Sequence, residues 1–443
     1  MGRKKIVCLG GGSYYFGETL SDLAVREGLK GSEIVLYDID LERAELMAKC
    51  GRRLSEEAGA DFKIYASKSL PEAVDGADFV IANIGGVGGG GGGYYSSPVH
   101  VNDLHICAKY GVYQIIGDTC GPAAMMGAFR TIPVYMDICL EMERRCPNAI
   151  FINHANPMAI LCRAIIKYSG IKNVIGICHG VQSGIRYIAK ILEIPPEELE
   201  TIWIGTNHYY WFIKIYHRGK DLYPELKKRI SLQKAESNKI LSTKLSQIYG
   251  YQITYPDDSH IIEFYPFLSQ VREVSDLSPE LDKEYKERSQ RKPGSREAVM
   301  KDFKEFLDKV TLPQERESLA SLESLGKLIE AIALGKRHIH IVNIPNQGAV
   351  SNLPVTAILE VEGVTNSFGV RPVYMGEAPL VLKGHLERII AWQELVVDAG
   401  VKGDRNIALQ ALMLDPQAIP PEKAEKMFEE LLVNSKEFLP QFK

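Results

Sequence analysis

Short apolar runs bounded by glycine and polar residues alternate with amphipathic stretches over the first two hundred positions. Ile6-Val-Cys-Leu9, Glu33-Ile-Val-Leu-Tyr-Asp38, Ala77-Asp-Phe-Val-Ile-Ala-Asn83, Ala149-Ile-Phe-Ile152 and Asn173-Val-Ile-Gly-Ile177 are too short for helices and predict buried strands. Between them, Thr19–Val25 and Thr131–Arg145 have helical spacing; Ile132, Met136 and Leu140 mark the second. Continued to about Ile202, this alternation predicts an α/β fold with a doubly wound parallel sheet. A second run, Thr201-Ile-Trp-Ile204, leads into Gly205-Thr-Asn-His208 as Asn173–Ile177 leads into Cys178-His-Gly180. Beyond Trp211 the pattern changes. A strand, Trp211–Tyr216, precedes mostly helical, charged sequence, and Asp276–Asp308 predicts a solvated helical cap. Arg337–Pro345 predicts a strand that ends at Asn346-Gln-Gly348. Leu386–Val397 predicts an amphipathic core helix through Leu386, Ile389, Ile390, Val396 and Val397, and Pro420–Phe442 a terminal helix. The expected division is residues 1–200, carrying the parallel sheet, and 201–443, an α+β unit with no internal repeat.

Composition narrows the class. The 443 residues, 45% hydrophobic and 24% charged, suit a soluble globular protein of two or three domains. A net charge of −4 without a basic block argues against nucleic acid or an anionic membrane as partner. The apolar run after Met1–Lys5 is too short for a signal-peptide core, and no run approaches membrane-spanning length. Eight cysteines between Cys8 and Cys178, without a CxxC pair, are expected as reduced thiols in the cytoplasm.

The candidate chemistry sits at the strand ends. Strand, glycine turn, helix, strand and acid arrive in the order of a dinucleotide-binding βαβ unit of the Rossmann type. Gly10, Gly11, Gly12 and Ser13 form the turn, Asp38 ends the second strand, and Asn83 ends the next one. Gly10 and Gly12 occupy the first two fingerprint positions; Tyr15 stands at the third, with Gly17 two residues later. Asp38, with no arginine directly after it, favours NAD over NADP. The glycine run ending at Gly93 would be a lid over the cofactor. Cys178 and His208, a thiolate and an imidazole at two neighbouring strand ends, could share one divalent metal, against the alternative of a buried core cysteine. Asp118 in Gly117-Asp-Thr-Cys-Gly-Pro122 is either a helix cap or a catalytic group. Asn153 and Asn156 in Asn153-His-Ala-Asn-Pro157 suit a hydroxylated ligand, or a helix cap.

Taken together, Gly10-Gly-Gly-Ser13, Gly117–Pro122, Asn153–Pro157, Cys178-His-Gly-Val181, Gly205-Thr-Asn-His208 and Asn343-Ile-Pro-Asn-Gln-Gly348 resemble the NAD-dependent glycoside hydrolases of family 4 over nearly the whole length. That family is an exception to the two-carboxylate glycosidases. The resemblance implies a lactate/malate dehydrogenase-like architecture and a homodimer or homotetramer. It implies a reaction in which NAD oxidises the sugar at C3, a base removes the C2 proton, a divalent metal stabilises the enediolate and the glycosidic oxygen is eliminated. It makes Cys178 and His208 the metal ligands, usually of manganese, and places Asn153 and Asn156 beside the sugar. His179, after the cysteine, places the chain with members acting on non-phosphorylated sugars. Cys-His-Gly resembles the α-glucuronidases; α-galacturonidase and α-glucosidase or α-galactosidase are the alternatives. Relatives that act on phosphoglycosides use a tyrosine as base where this chain has His260, a departure that imidazole chemistry can fill. Asp118 is the expected acid. An ordinary 2-hydroxy acid dehydrogenase is a rival that would release reduced cofactor stoichiometrically, and a non-catalytic NAD sensor is a second.

Overall fold

The computed structural model describes residues 3–87, 93–232, 236–253, 257–313 and 325–443. Its main sheet is built from β1 (Lys5–Leu9), β2 (Glu33–Tyr37), β3 (Lys63–Ser67), β4 (Phe79–Ala82), β5 (Ile150–Asn153) and β6 (Val174–Gly176). These six are parallel, in the order β3-β2-β1-β4-β5-β6. Every side chain of β4, β5 and β6 is buried, which is why they appear in the sequence as unbroken apolar runs. The helices α1 (Tyr15–Ala24), α2 (Leu41–Ala58), α3 (Leu70–Val74), α4 (Pro98–Lys109), α5 (Gly121–Arg145), α6 (Met158–Tyr168) and α7 (Gly180–Leu192) are interleaved with them.

The run at Thr201–Ile204 departs from the parallel pattern expected of it. It lies in β7 (Glu200–Thr206), which pairs antiparallel with β8 (Tyr209–His217) in a separate three-stranded sheet closed by β9 (Lys220–Asp221). Only Asn207 and His208 join β7 to β8, and a two-residue loop can link only antiparallel neighbours. His208 takes the positive φ of 62° that such a turn requires. It is therefore a hairpin-turn residue, not a second parallel strand end beside Cys178.

The second half of the chain also completes the main sheet. The strand expected from Arg337 begins at Ile339. It is β10 (Ile339–Pro345), which meets β6 at Asn343 and Gly176 and continues antiparallel into β11 (Ile358–Asn366) and β12 (Gly369–Pro372). The charged stretch forms two helices, Pro279–Ser289 and Arg296–Lys309, each with few buried side chains. Leu386, Ile389, Ile390, Val396 and Val397 are buried along a longer helix, Leu380–Lys402, as their spacing predicts. The last long helix is Pro421–Ser435. No helix among the described residues is long and apolar enough to cross a membrane.

Candidate metal centre and active site

Cys178 follows β6 by two residues and precedes α7, whose Gly180 N–H donates to its Sγ at 3.4 Å. The β7–β8 turn carries His208 against it, with Nε2 3.4 Å from Sγ. On its other side, His208 Nδ1 lies 3.0 Å from Thr119 Oγ1, and that hydroxyl donates to Asp118 Oδ1 at 2.7 Å. Asp118 Oδ2 accepts from Tyr95 at 2.6 Å and from Asn156 Nδ2 at 2.8 Å. The His260 ring stands edge-on to that of His208, 5.1 Å between centroids. Ligand atoms of Asp118, His208 and His260 all lie within 4.8 Å of one another. Asp257 Oδ1 is 3.3 Å from His260 Nδ1 and fixes which ring nitrogen faces the cluster. Four segments distant in sequence thus meet: the stretch before α5 that carries Asp118 and Thr119, the β6–α7 turn, the β7–β8 turn and the short helix Asp258–Ile261.

This donor set fits a divalent cation. Thiolate and imidazole alone would suit zinc, and the Asp118 carboxylate adds the oxygen that manganese prefers. Asn207, next to His208, is buried with neither amide atom bonded among the described residues, as expected of a group that faces a bound ligand or water. Asp118 is not a helix cap, because the N-cap of α5 is Cys120. Asn156 reaches the cluster through Asp118, and His179 is the N-cap of α7. Asn153 does not reach the cluster: the residue is fully buried and its amide is spent on Tyr135, Ala155 and Cys162.

The glycine turn lies at the ends of β1 and β2. Gly10 and Gly11 both donate to Tyr37 O at 2.9 Å, and Gly12 donates to Asp38 Oδ2 at 2.9 Å. Gly10 has φ +78°, and a Cβ there would fall 2.2 Å from Asn83 O, so no other residue fits. Ser13 Oγ donates to Asn83 Oδ1 at 3.3 Å, and Asn83 Nδ2 is 2.9 Å from His154 Nδ1. Tyr15, at the third fingerprint position, stacks on His154 with 3.7 Å between centroids. Asp38 is committed on one lone pair of each oxygen, to Gly12 and to Asp40 N, which leaves acceptor capacity for ribose hydroxyls. The turn therefore fits a dinucleotide, with the α1 N-terminus behind it. Most of the glycine run expected as a lid, residues 88–92, lies outside the described residues.

The model of the family 4 glycosyl hydrolases matches residues 5–194, and that of the family's C-terminal domain matches residues 203–418. The chain belongs to glycosyl hydrolase family 4. An α-galactosidase of Bacillus subtilis is 31% identical over 99% of this chain and 100% of its own. An α-galacturonidase of Thermoanaerobacter italicus is 28% identical over 98% of this chain and 97% of its own. A 6-phospho-α-glucosidase from gut microorganisms, solved in complex with NAD and Mn2+, shares the fold at a TM-score of 0.79, with 24% identity and full coverage of both chains. A lactate dehydrogenase from a deep-sea metagenome shares it more distantly, at a TM-score of 0.53 and 14% identity over 90% of this chain and all of its own.

Electrostatics separate the roles in this family 4 hydrolase. Burial opposes the Asp118 charge, but the imidazoles of His260 and His208 and the hydroxyls of Tyr95 and Thr119 outweigh it and hold the carboxyl below its usual range. The carboxylate is the acceptor for Tyr95, Thr119 and Asn156. Burial pushes His208 down to about 3, so its ring is neutral and ready to ligate. Burial works against a charge on His260 too, yet the carboxylates of Asp257 and Asp118 raise it above its ordinary value. Sequence reasoning missed Tyr95, Thr119, Asn207, Asp257 and Glu263. Asp257 had a signal, its three-residue spacing to His260. Glu263 had none: it is buried and bonds to backbone nearly 150 residues away.

Proposed function

We propose that this protein is an NAD- and divalent-metal-dependent glycosidase of non-phosphorylated α-glycosides, with α-glucuronides as its substrates. The observation that carries the reading is the cluster of Asp118, His208 and His260, with Cys178 Sγ against the Nε2 of His208. His179 and Gly180 after the cysteine support the glucuronide assignment. The α-galactosidase and α-galacturonidase relatives favour a second reading, with a galactose-configured sugar or its uronide.

Cys178 and His208, joined by Asp118, would hold the cation; Gly10, Gly11, Gly12, Ser13, Asp38 and Asn83 would hold the dinucleotide. When bound, NAD supplies a hydride acceptor for C3 and the cation a Lewis acid beside it. The chain's own groups do the rest. Asn156, fixed on Asp118, offers its amide oxygen to a sugar hydroxyl. His260 takes the C2 proton on Nε2 while Asp257 holds Nδ1. The glycine turn lies before residue 200 and His208 and His260 after it, so the sugar would sit between residues 1–200 and 201–443. None of the eight cysteines forms a disulfide, which supports a cytoplasmic location. Exposed Phe368, Tyr374 and Leu380 support assembly into a homo-oligomer.

The test is a panel of nitrophenyl α-glycosides and α-glycuronides, given to stripped protein with and without NAD and Mn2+ under reductant. Release of nitrophenol from an α-glucuronide only when both are added, without net NADH, is expected. Full activity of the stripped protein, or stoichiometric NADH, would overturn the reading.

A further inference from the structure

Residues 112–120, which deliver Asp118 and Thr119 to the metal centre, belong to no helix or strand. Their backbone must therefore find its partners elsewhere. Three consecutive N–H groups, of Ile115, Ile116 and Gly117, donate to Glu263 Oε1 at 2.6, 2.8 and 3.0 Å, and Gly117 also reaches Oε2 at 3.2 Å. Glu263 is 1% exposed. Its own backbone is fixed in turn, because Gln417 Nε2 donates to Glu263 O at 2.6 Å and to Tyr265 O at 3.0 Å. The carboxylate thus ends one residue before Asp118 and starts three residues after His260. It is the tie between the two segments whose side chains must meet at the cation.

We propose that Glu263 is a positioning residue that holds Asp118 and His260 at their working separation and so sets metal affinity and turnover. The inference rests on the reading of Cys178, His208 and Asp118 as the cation site. A carboxylate suits the task because Oε1 takes all three donors while Oε2 accepts from Gly117 as well; a glutamine has one acceptor oxygen and turns its NH2 group toward the Gly117 N–H. Removing the tie frees Asp118 to move while Cys178 and His208, held by other elements, stay in place. Second-shell changes of this kind weaken metal binding or activity by roughly 10–100-fold.

The experiment compares wild type, Glu263→Gln and Glu263→Asp for Mn2+ affinity by paramagnetic resonance titration, NAD affinity by fluorescence, and kcat against KM. Mn2+ affinity and kcat should fall at least about tenfold in E263Q, with NAD affinity within twofold of wild type, because the glycine turn is built from other residues. E263D keeps the acceptor oxygens on a shorter stem and should fall between. A lowered thermal midpoint with wild-type Mn2+ affinity and kcat in the folded variants would reduce Glu263 to a structural prop and overturn the proposal. Where E263Q does not fold, E263D decides by the same two readings. Failure of wild type itself to bind Mn2+ would sink the metal reading instead, so the two failures are distinct.

Discussion

Burial makes seven of the eight thiols inert. Cys8, Cys50, Cys107, Cys120, Cys139, Cys146 and Cys162 are all pushed above the ordinary thiol range, chiefly by desolvation. Cys178 is the one beside an imidazole and a helix N-terminus, the surroundings of a ligating thiolate. What separates Cys178 from the core cysteines is what the fold brings next to it. The same holds for His260. Asp257 Oδ1 stands beside its Nδ1, and Asp118 lies across the cluster from it. Its task in the proposed chemistry is removal of the C2 proton, so His260→Ala should cut kcat by about 10²–10⁴-fold and leave KM nearly unchanged. Substrate deuterated at C2 gives the sharper reading. Wild type should wash the label into solvent during turnover, and the variant should lose washout in step with kcat. Product that retains the C2 label in ordinary water would mean the bond at C1 is broken without touching C2.

At the scale of elements, five of the six parallel strands were legible because burial leaves an unbroken apolar run, as in Phe79–Ala82 and Ile150–Asn153; β3, an edge strand with Lys63 exposed and two half-buried positions, was not. Nor was the β7–β8 hairpin. Its turn, Asn207-His208, lacks the glycine that marks most two-residue turns, so the run before it was taken for another parallel strand. β11 was hidden by Glu360 and Glu362, charged residues inside an otherwise apolar strand. The start of α5 was hidden because Gly121–Ile132 is buried all round and shows no polar face to give a period. Of the site, the glycine turn, Asp38, Cys178, His208, Asp118 and His260 were readable as motifs. The ties among them were not, since Tyr95, Thr119 and Glu263 act through contacts that no local pattern announces. The C-terminal end of the helix Arg405–Leu414 shows another such long-range effect. Desolvation of the fully buried Asp415 raises its carboxyl from 3.8 to about 7. A raised acid binds its proton in the folded state at pH values where the unfolded chain has lost it. Its contribution is thus fully present below about pH 4 and is lost as pH rises through about 7. Asp415→Asn keeps the oxygen that accepts from Gln417 N but cannot ionise. The fall in thermal midpoint between pH 5 and pH 8 should therefore be smaller in the variant than in wild type. Equal falls would mean that Asp415 is ionised in the fold throughout.

Across the whole molecule, the two halves are tied at the cofactor end as well as at the metal. Arg296, at the start of the solvated helix Arg296–Lys309, donates to both carboxylate oxygens of Asp40 at 2.8 and 3.1 Å and to Glu42 at 2.8 Å. Asp40 is the N-cap of α2 and lies two residues beyond Asp38, to which its own N–H donates. Further along the same helix, Phe303 receives the Arg43 guanidinium 4.3 Å from its ring centroid and meets Tyr14 edge-on at 5.2 Å. The helix from the second half thus clasps the turn that shapes the dinucleotide cradle. In the proposed reaction the hydride returns to the sugar, so the cofactor need not leave between turnovers, and a braced turn would suit it. Arg296 is largely exposed and its pairs are screened by solvent, so the expected effect is modest. Arg296→Ala should weaken NAD binding by about two- to fivefold, through faster dissociation. Because the lost interaction is between surface charges, wild-type affinity should decline with added salt more steeply than that of the variant, and the two should converge near about 1 M. Stopped-flow displacement of NAD at low and high salt reads both quantities. Equal dissociation rates at low salt would mean that the helix lies on the turn without bracing it, and that the glycine turn and Asp38 alone set how long the cofactor stays.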